Sequence, residues 1–204
     1  VTSKLALYNS VCAILAERKL ASLSENVVMR RRLDTMWDDD FIKKVLQQGL
    51  WNFAIKDVEL SYSPSVVSSF GFLYAFDKPT DWVRTAILSC DDSYGVGFRA
   101  YEDQGSYWYA DQDTIWVRYV SDDVQWGGDL SLWTPAFTTF AEHYAAWRVA
   151  RITTGSKADA AELEVTQRRL LIQARSGDAM DEASRGIPQG SWVGARRGGT
   201  SRER

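Results

Sequence analysis

The stretch Tyr107-Trp108-Tyr109-Ala110-Asp111-Gln112-Asp113-Thr114-Ile115-Trp116-Val117-Arg118-Tyr119-Val120 decides how the chain is read. Large apolar side chains fall at 107, 109, 115, 117 and 119, every second residue within each half. Successive side chains on a strand point to opposite faces, so each half reads as a strand with one apolar face. The polar Asp111-Gln112-Asp113 between them suits a short turn, and the whole predicts a β-hairpin. Upstream, Phe70, Phe72, Tyr74 and Phe76 alternate strictly and predict another strand. Trp51 to Tyr62 is also strand-like, but its alternation slips near Asp57, as at a bulge. Pro79-Thr80-Asp81-Trp82 reads as a turn into a short element ending near Cys90, and Asp91 to Gly97 as an exposed loop.

On either side of this region the period changes. Leu5, Tyr8, Val11, Cys12 and Leu15 recur at helical spacing, with Leu7 and Ile14 widening the stripe. The pattern breaks over 16–21, and Ser22-Leu23-Ser24-Glu25 reads as a capping box opening a second helix. That helix carries Met29, Leu33, Met36, Trp37, Phe41 and Val45 on one side and is expected to stop at Gly49. Later, Thr134-Pro135 supplies an N-cap and a first-turn proline. Phe137, Ala141, Tyr144, Ala145, Val149 and Ile152 follow at helical spacing. Thr154-Gly155-Ser156 ends this helix, and Ser156 with Asp159 opens another, with an inner stripe of Ala160, Leu163, Gln167, Leu170, Leu171 and Ala174. Each apolar face is too narrow to stabilise a helix alone, so the four are expected to close on one another. The expected fold is α+β: an antiparallel four-helix bundle from 1–49 and 133–183, an inserted β-rich subdomain over 50–132, and an extended C-terminal tail over 184–204.

Composition narrows the function classes. The 204 residues are 45% apolar and 25% charged, the mixture of an ordinary globular fold. A net charge of −3 excludes a surface that is basic all round, as DNA coating needs. With one His and two Cys, metal sites and triads built from several such residues are excluded. Cys12 and Cys90 lack metal spacing and read as reduced thiols. No run approaches the roughly 20 apolar residues of a membrane span. Val1-Thr2-Ser3-Lys4 lacks a basic segment followed by an apolar one, so no secretory leader is expected. Nine Trp are many for this length; beyond filling a core, they suit anchors at subunit interfaces.

The chemistry-bearing residues mostly read as structural. Asp38-Asp39-Asp40 on a helix point about 100° apart, so the run does not converge on one substrate atom and reads as a solvated face. Asp91-Asp92 and Asp122-Asp123 are loop pairs without a calcium-loop pattern. His143 stands in a helix with no Ser or Cys nucleophile nearby in sequence. Gly95-Val96-Gly97 and Gly127-Gly128 lack the spacing and the Lys-Ser/Thr of a nucleotide motif, and read as turns. Arg30-Arg31-Arg32 spread around a helix, within reach of Glu25 and Asp34, and read as a solvated or inter-subunit face.

The tail is different. Arg185 to Arg204 holds five arginines against Glu203, a net +4, which leaves the rest of the chain at −7. Its five glycines and sparse apolar residues bury too little surface to offset ordering, so a fixed shape is expected only against a partner. It could bind DNA non-specifically, or dock as a peptide in an acidic or apolar protein groove. Ile187, Pro188, Trp192 and Val193 among Arg185, Arg196, Arg197, Arg202 and Arg204 favour docking, because apolar anchors give an extended peptide its specificity.

Several phrases, in order, carry a resemblance. They are Leu23-Ser24-Glu25, Arg30-Arg31-Arg32, Trp37-Asp38-Asp39-Asp40 and Leu50-Trp51-Asn52-Phe53-Ala54. Tyr74-Ala75-Phe76-Asp77-Lys78-Pro79 before Asp81-Trp82-Val83-Arg84, Trp116-Val117-Arg118-Tyr119-Val120, and Leu132-Trp133-Thr134-Pro135-Ala136-Phe137 complete the series. Over residues 1–180 the chain resembles the tail tubular protein A, or head-to-tail adaptor, family of short-tailed phages. The resemblance implies a structural virion protein of the head-tail junction, present in the host cytoplasm during assembly, with no enzymatic activity and no cofactor. It implies a homo-oligomeric ring of about twelve copies, with helical bundles side by side as a collar around the DNA channel. The β insert would face the tail nozzle protein or the fibres, and the C-terminal segment would bind the portal protein. A body at −7 suits a conduit for genomic DNA, because like charge keeps DNA off the wall.

Two other functions compete with this one. A virion-associated glycan hydrolase would need two convergent carboxylates, for which Glu102, Asp103 and Asp111 are the candidates. A DNA-binding accessory protein would work through the arginine tail and lose affinity steeply with salt.

Overall fold

The computed structural model describes residues 3–68, 71–94, 98, 100–153 and 157–181, with side chains described outside 151–153 and 157–158. The elements are α1 Lys4–Ile14, α2 Val28–Asp38, α3 Phe41–Leu46, β1 Ile55–Ser61, β2 Tyr74–Asp77, β3 Trp82–Ser89, β4 Tyr101–Gln104, β5 Tyr107–Ala110, β6 Thr114–Ser121, α4 Pro135–Thr153 and α5 Lys157–Asp181. A single 3-10 turn, Asn52–Ala54, leads into β1.

Local chemistry sets the helix ends. The Ala6 N–H donates to Ser3 Oγ at 3.2 Å and caps α1. At the other end Glu17 N–H donates to Cys12 O at 2.8 Å and Ala16 N–H to Ala13 O at 3.2 Å, which closes the helix as a Schellman motif. That motif places Ala16 at φ 54°, a left-handed position held by a residue other than glycine. The α4 start follows the Thr-Pro signal: Phe137 N–H donates to Thr134 Oγ1 at 3.3 Å.

The capping box does not cap a helix. Glu25 instead accepts the Ala21 N–H at 2.8 Å and pairs with Arg18, so Ser22–Glu25 closes a turn, and α2 begins only at Val28. The long second helix is also interrupted. Asp40 adopts φ 50°, and the chain bends there from α2 into the six-residue α3.

The antiparallel four-helix bundle is therefore corrected. The protein is mixed α/β: the described residues form five α-helices interleaved with two three-stranded antiparallel sheets. Length is one physical reason. α1 and α2, at 11 residues, each run about 16 Å, against about 37 Å for the 25-residue α5, so they cannot flank it as equal partners. The second reason is the core. Buried Leu7, Val11, Leu33, Phe41, Val45, Phe137, Phe140, Ala145 and Val149 pack in one cluster with Val83 of β3 and Val120 of β6. The helices thus close on the end of a sheet as well as on each other.

The predicted hairpin is corrected too. β5 and β6 do not pair: β5 lies between β2 and β4 in one sheet, and β6 between β1 and β3 in the other. Asp111-Gln112-Asp113 hands the chain from one sheet to its neighbour. Phe76, Trp108 and Ala110 of the first sheet pack on Leu88, Ile115, Val117 and Tyr119 of the second, which makes a small sandwich with its own core. Phe72 precedes β2, so the strand is shorter than the aromatic alternation, and Phe70 lies outside the described residues.

No bulge stands at Asp57. β1 pairs with β6 in unbroken register, Asp57 opposite Arg118, and the irregularities fall in β3. The slip arises because Lys56 takes a position on the same side as Val58 and Leu60, while Asp57 forms a bidentate pair with Arg118 at 2.7 and 2.8 Å.

Gly127 stands where the layers approach closely. A Cβ there would lie 2.4 Å from Ser121 O, 2.7 Å from Leu46 Cδ1 and 2.9 Å from Ala54 Cβ. Gly127→Ala is expected to lose about 1–3 kcal/mol of unfolding free energy in urea titration, as overpacking does.

Candidate functional site

The polar residues cluster at the junction of helices and sandwich. Asp81, in the turn before β3, is the centre. Its carboxylate accepts from Lys56 Nζ at 2.8 Å, Tyr119 Oη at 3.1 Å and Ser121 Oγ at 2.6 Å. Its carbonyl accepts the Asp122 N–H at 3.1 Å. Lys43 of α3 lies 3.5 Å from Asp122, which extends the network into the helical layer. Burial works to raise the Asp81 carboxyl, but Lys56, Ser121, the backbone and Tyr119 together hold it below the usual carboxylate range. Burial pushes Asp122 up, and it pushes the Tyr119 phenol up as well. A carboxylate so fully bonded works as a clamp between layers. The sequence signal for it was the slip near Asp57, which came from Lys56 facing inward.

A second clamp uses the acidic run at the C-terminal end of α2. Asp39 pairs with Lys44 of α3 at 2.7 Å and with Arg148 of α4 at 2.5 Å, and these partners hold its carboxyl below the usual range. Beside it an aromatic row follows α4: Trp133, Phe137, Phe140, Tyr144 and Trp147, with consecutive ring centroids 4.8, 6.0, 6.0 and 5.6 Å apart. Trp51 meets this row at Phe137, 4.6 Å away. Trp37 sits 5.5 Å from Phe41, with the Lys4 ammonium over its ring. Much of the Trp surplus is thus structural.

Two of the three hydrolase candidates already have structural partners. Asp103 accepts from Lys78 at 2.5 Å and from Trp108 Nε1 at 3.1 Å. Lys78 itself is nearly buried and stands 4.0 Å above the Trp82 ring. Glu102 and Asp103 are successive on β4 and so point to opposite faces. Asp111 accepts the Leu73 N–H at 3.0 Å.

The other singled-out residues also hold structure. Arg30 pairs with Asp34, whose other oxygen accepts the buried Tyr8 hydroxyl at 3.0 Å. His143 lies on α4 with Nδ1 2.9 Å from Thr139 O, at the rim of an open pocket of about 400 Å³ shared with Asp159 and Glu162. Cys12 is buried and Cys90 exposed, both as free thiols. Gly127-Gly128 form a tight turn, and Gly95-Val96-Gly97 lie outside the described residues. So do all the tail residues singled out for docking: Arg185, Ile187, Pro188, Trp192, Val193, Arg196, Arg197, Arg202 and Arg204. Among the described residues no group of three or more His, Cys, Asp or Glu is placed to hold a metal, and no helix is long and apolar enough to cross a membrane.

The surface of interest is α5. Its inner side buries Gln167, Ala174 and Asp178, while Val165, Ile172 and Met180 are 70%, 67% and 83% exposed. These recur at helical spacing with the exposed Ala161, Arg168, Arg169 and Ala179, so the helix carries apolar residues on two sides. The sequence reading found the inner side and missed the outer one. Two stripes on one helix blur the periodicity by which either would be recognised.

No protein-family model matches this chain, and no curated protein does so.

Proposed function

We propose that the chain is a structural head-to-tail adaptor of a short-tailed phage. Copies pack laterally into a ring that binds the portal protein, closes the filled head and carries the tail nozzle and fibres, with genomic DNA passing through. The observation that carries this reading is the outer stripe of α5, with Val165, Ile172 and Met180 exposed. Its neighbours on that face include the exposed Arg168 and Arg169, in a chain whose residues 1–184 sum to −7. Arg168 is paired with Glu164 at 2.6 Å, which leaves Arg169 as the cation of that rim, and a second copy with a net negative body is the occupant that complements it. Ring contacts join two different faces of one chain, so a helix apolar on both sides serves the core and a neighbour together. The ordered phrases from Leu23 to Phe137 support the family named in this proposal. Four of them fall on the α2–α3 bend, the 3-10 turn, the Asp81 turn and the start of α4, and the others in the turn before α2 and within α2, β2 and β6.

The test is Ile172→Glu. The variant is expected to keep its thermal unfolding midpoint within a few degrees and to run as a monomer in light scattering where the parent chain forms rings in the presence of portal. A monomeric parent under the same conditions, or a variant that assembles normally, contradicts the assignment.

A further inference from the structure

Arg84 on β3 and Arg175 on α5 line one open pocket of about 370 Å³ at the end of α3, together with Gln48, Leu50, Trp51 and Asp178. Arg84 Nη1 donates to Gln47 O at 3.3 Å, and Arg175 Nη2 donates to Gln48 O. Each guanidinium has five N–H donors in a planar fork, so these bonds fix the two forks at the pocket and leave further donors for a ligand. Asp178 is only 9% exposed, and its two oxygens take the Asn52 N–H at 3.1 and 3.2 Å. Its charge offsets one guanidinium, which leaves a surplus of one positive charge among the lining residues. Leu50, 46% exposed, stands beside the arginines as an apolar wall.

We propose that this pocket binds a carboxylate side chain presented by a partner polypeptide, with an adjacent apolar residue against Leu50. One surplus positive charge matches a single carboxylate better than a dianionic phosphate, and a single guanidinium fork supplies the paired N–H donors of a bidentate carboxylate contact. The volume is sufficient for two side chains. This inference stands apart from the adaptor reading, since it names the chemistry of an acidic-apolar segment whatever protein carries it.

The test titrates the full chain, labelled with ¹⁵N, with the blocked dipeptide acetyl-Glu-Leu-amide. The comparison arms use acetyl-Gln-Leu-amide and inorganic phosphate. The expected result is saturable movement of the Trp51 indole and Leu50 amide resonances with the glutamyl probe, and at least about tenfold weaker binding of the glutaminyl probe and of phosphate. Arg84→Gln and Arg175→Gln should each weaken the glutamyl probe by a similar factor. The proposal is overturned if the glutaminyl probe binds as well, if phosphate binds as tightly, or if no saturable movement occurs. The glutaminyl arm uses the unaltered chain, so the result does not depend on either variant folding.

Discussion

Replacing Trp51 with alanine is expected to remove about 3–5 kcal/mol of folding stability, the largest effect of any single truncation considered. Trp51 is 1% exposed and meets Phe137 at 4.6 Å and Phe53 at 6.4 Å. Its Nε1–H donates to Leu46 O at 3.0 Å, which satisfies a carbonyl of the last turn of α3. Truncation therefore opens a cavity and orphans that carbonyl. The loss should appear as a lower urea midpoint with an unchanged slope, because the surface exposed on unfolding stays nearly the same. Trp51→Phe separates the two contributions: it keeps most of the packing and loses the hydrogen bond, at an expected cost of about 1–2 kcal/mol. A Trp51→Ala loss under 1 kcal/mol would mean that the helical core does not close on this ring.

The second large effect is at Asp81. Asp81→Asn keeps the shape of the side chain and removes the charge that Lys56, Tyr119 and Ser121 share. The expected cost is about 2–3 kcal/mol at neutral pH, because Lys56 is left half-buried with only Asp123, 4.0 Å away, as a counter-ion. The pH dependence has a defined sign. The folded Asp81 carboxyl lies below its ordinary value. Its stabilisation is therefore fully present above about pH 4, the unfolded value, and is lost as pH falls through the lower folded value. Asp122 runs the other way: its folded value is raised, so protonating it on acidification relieves a cost. Asp81→Asn should thus flatten the acid limb of stability against pH, and Asp122→Asn should steepen it. The same acid slope in all three proteins contradicts this assignment of the clamp.

The elements that the sequence displays are those whose signals are local. Lys4–Ile14 follows from the stripe Leu5, Tyr8, Val11, Cys12, and the Pro135 start from Thr134-Pro135, because capping and periodicity act within a few residues. What the sequence hides is decided over longer distances. The strands around Asp111-Gln112-Asp113 are visible as strands, but alternation says nothing about which strand each one pairs with, and here a short turn joins two sheets. The bend at Asp40 has no glycine or proline to announce it; aspartate is one of the few other residues that visit the left-handed region, and Asp40 does so beside Asp39, which is paired with Lys44 and Arg148. The Ser22–Glu25 box is a chemically genuine turn that serves Ala21 and Arg18 instead of a helix. At the Asp81 junction, Lys56, Asp81, Tyr119 and Ser121 stand far apart in sequence and meet only because β1, β3 and β6 share a sheet, so no spacing could have grouped them.

The central claim is that copies of this chain assemble on a portal ring through the outer face of α5. Electron microscopy of the full chain mixed with the portal ring of a short-tailed phage tests this most directly. The account predicts a second ring of adaptor copies stacked coaxially on the portal, and its absence when Ile172→Glu replaces the parent chain. Bare portal rings alongside a monomeric, folded parent chain would contradict it.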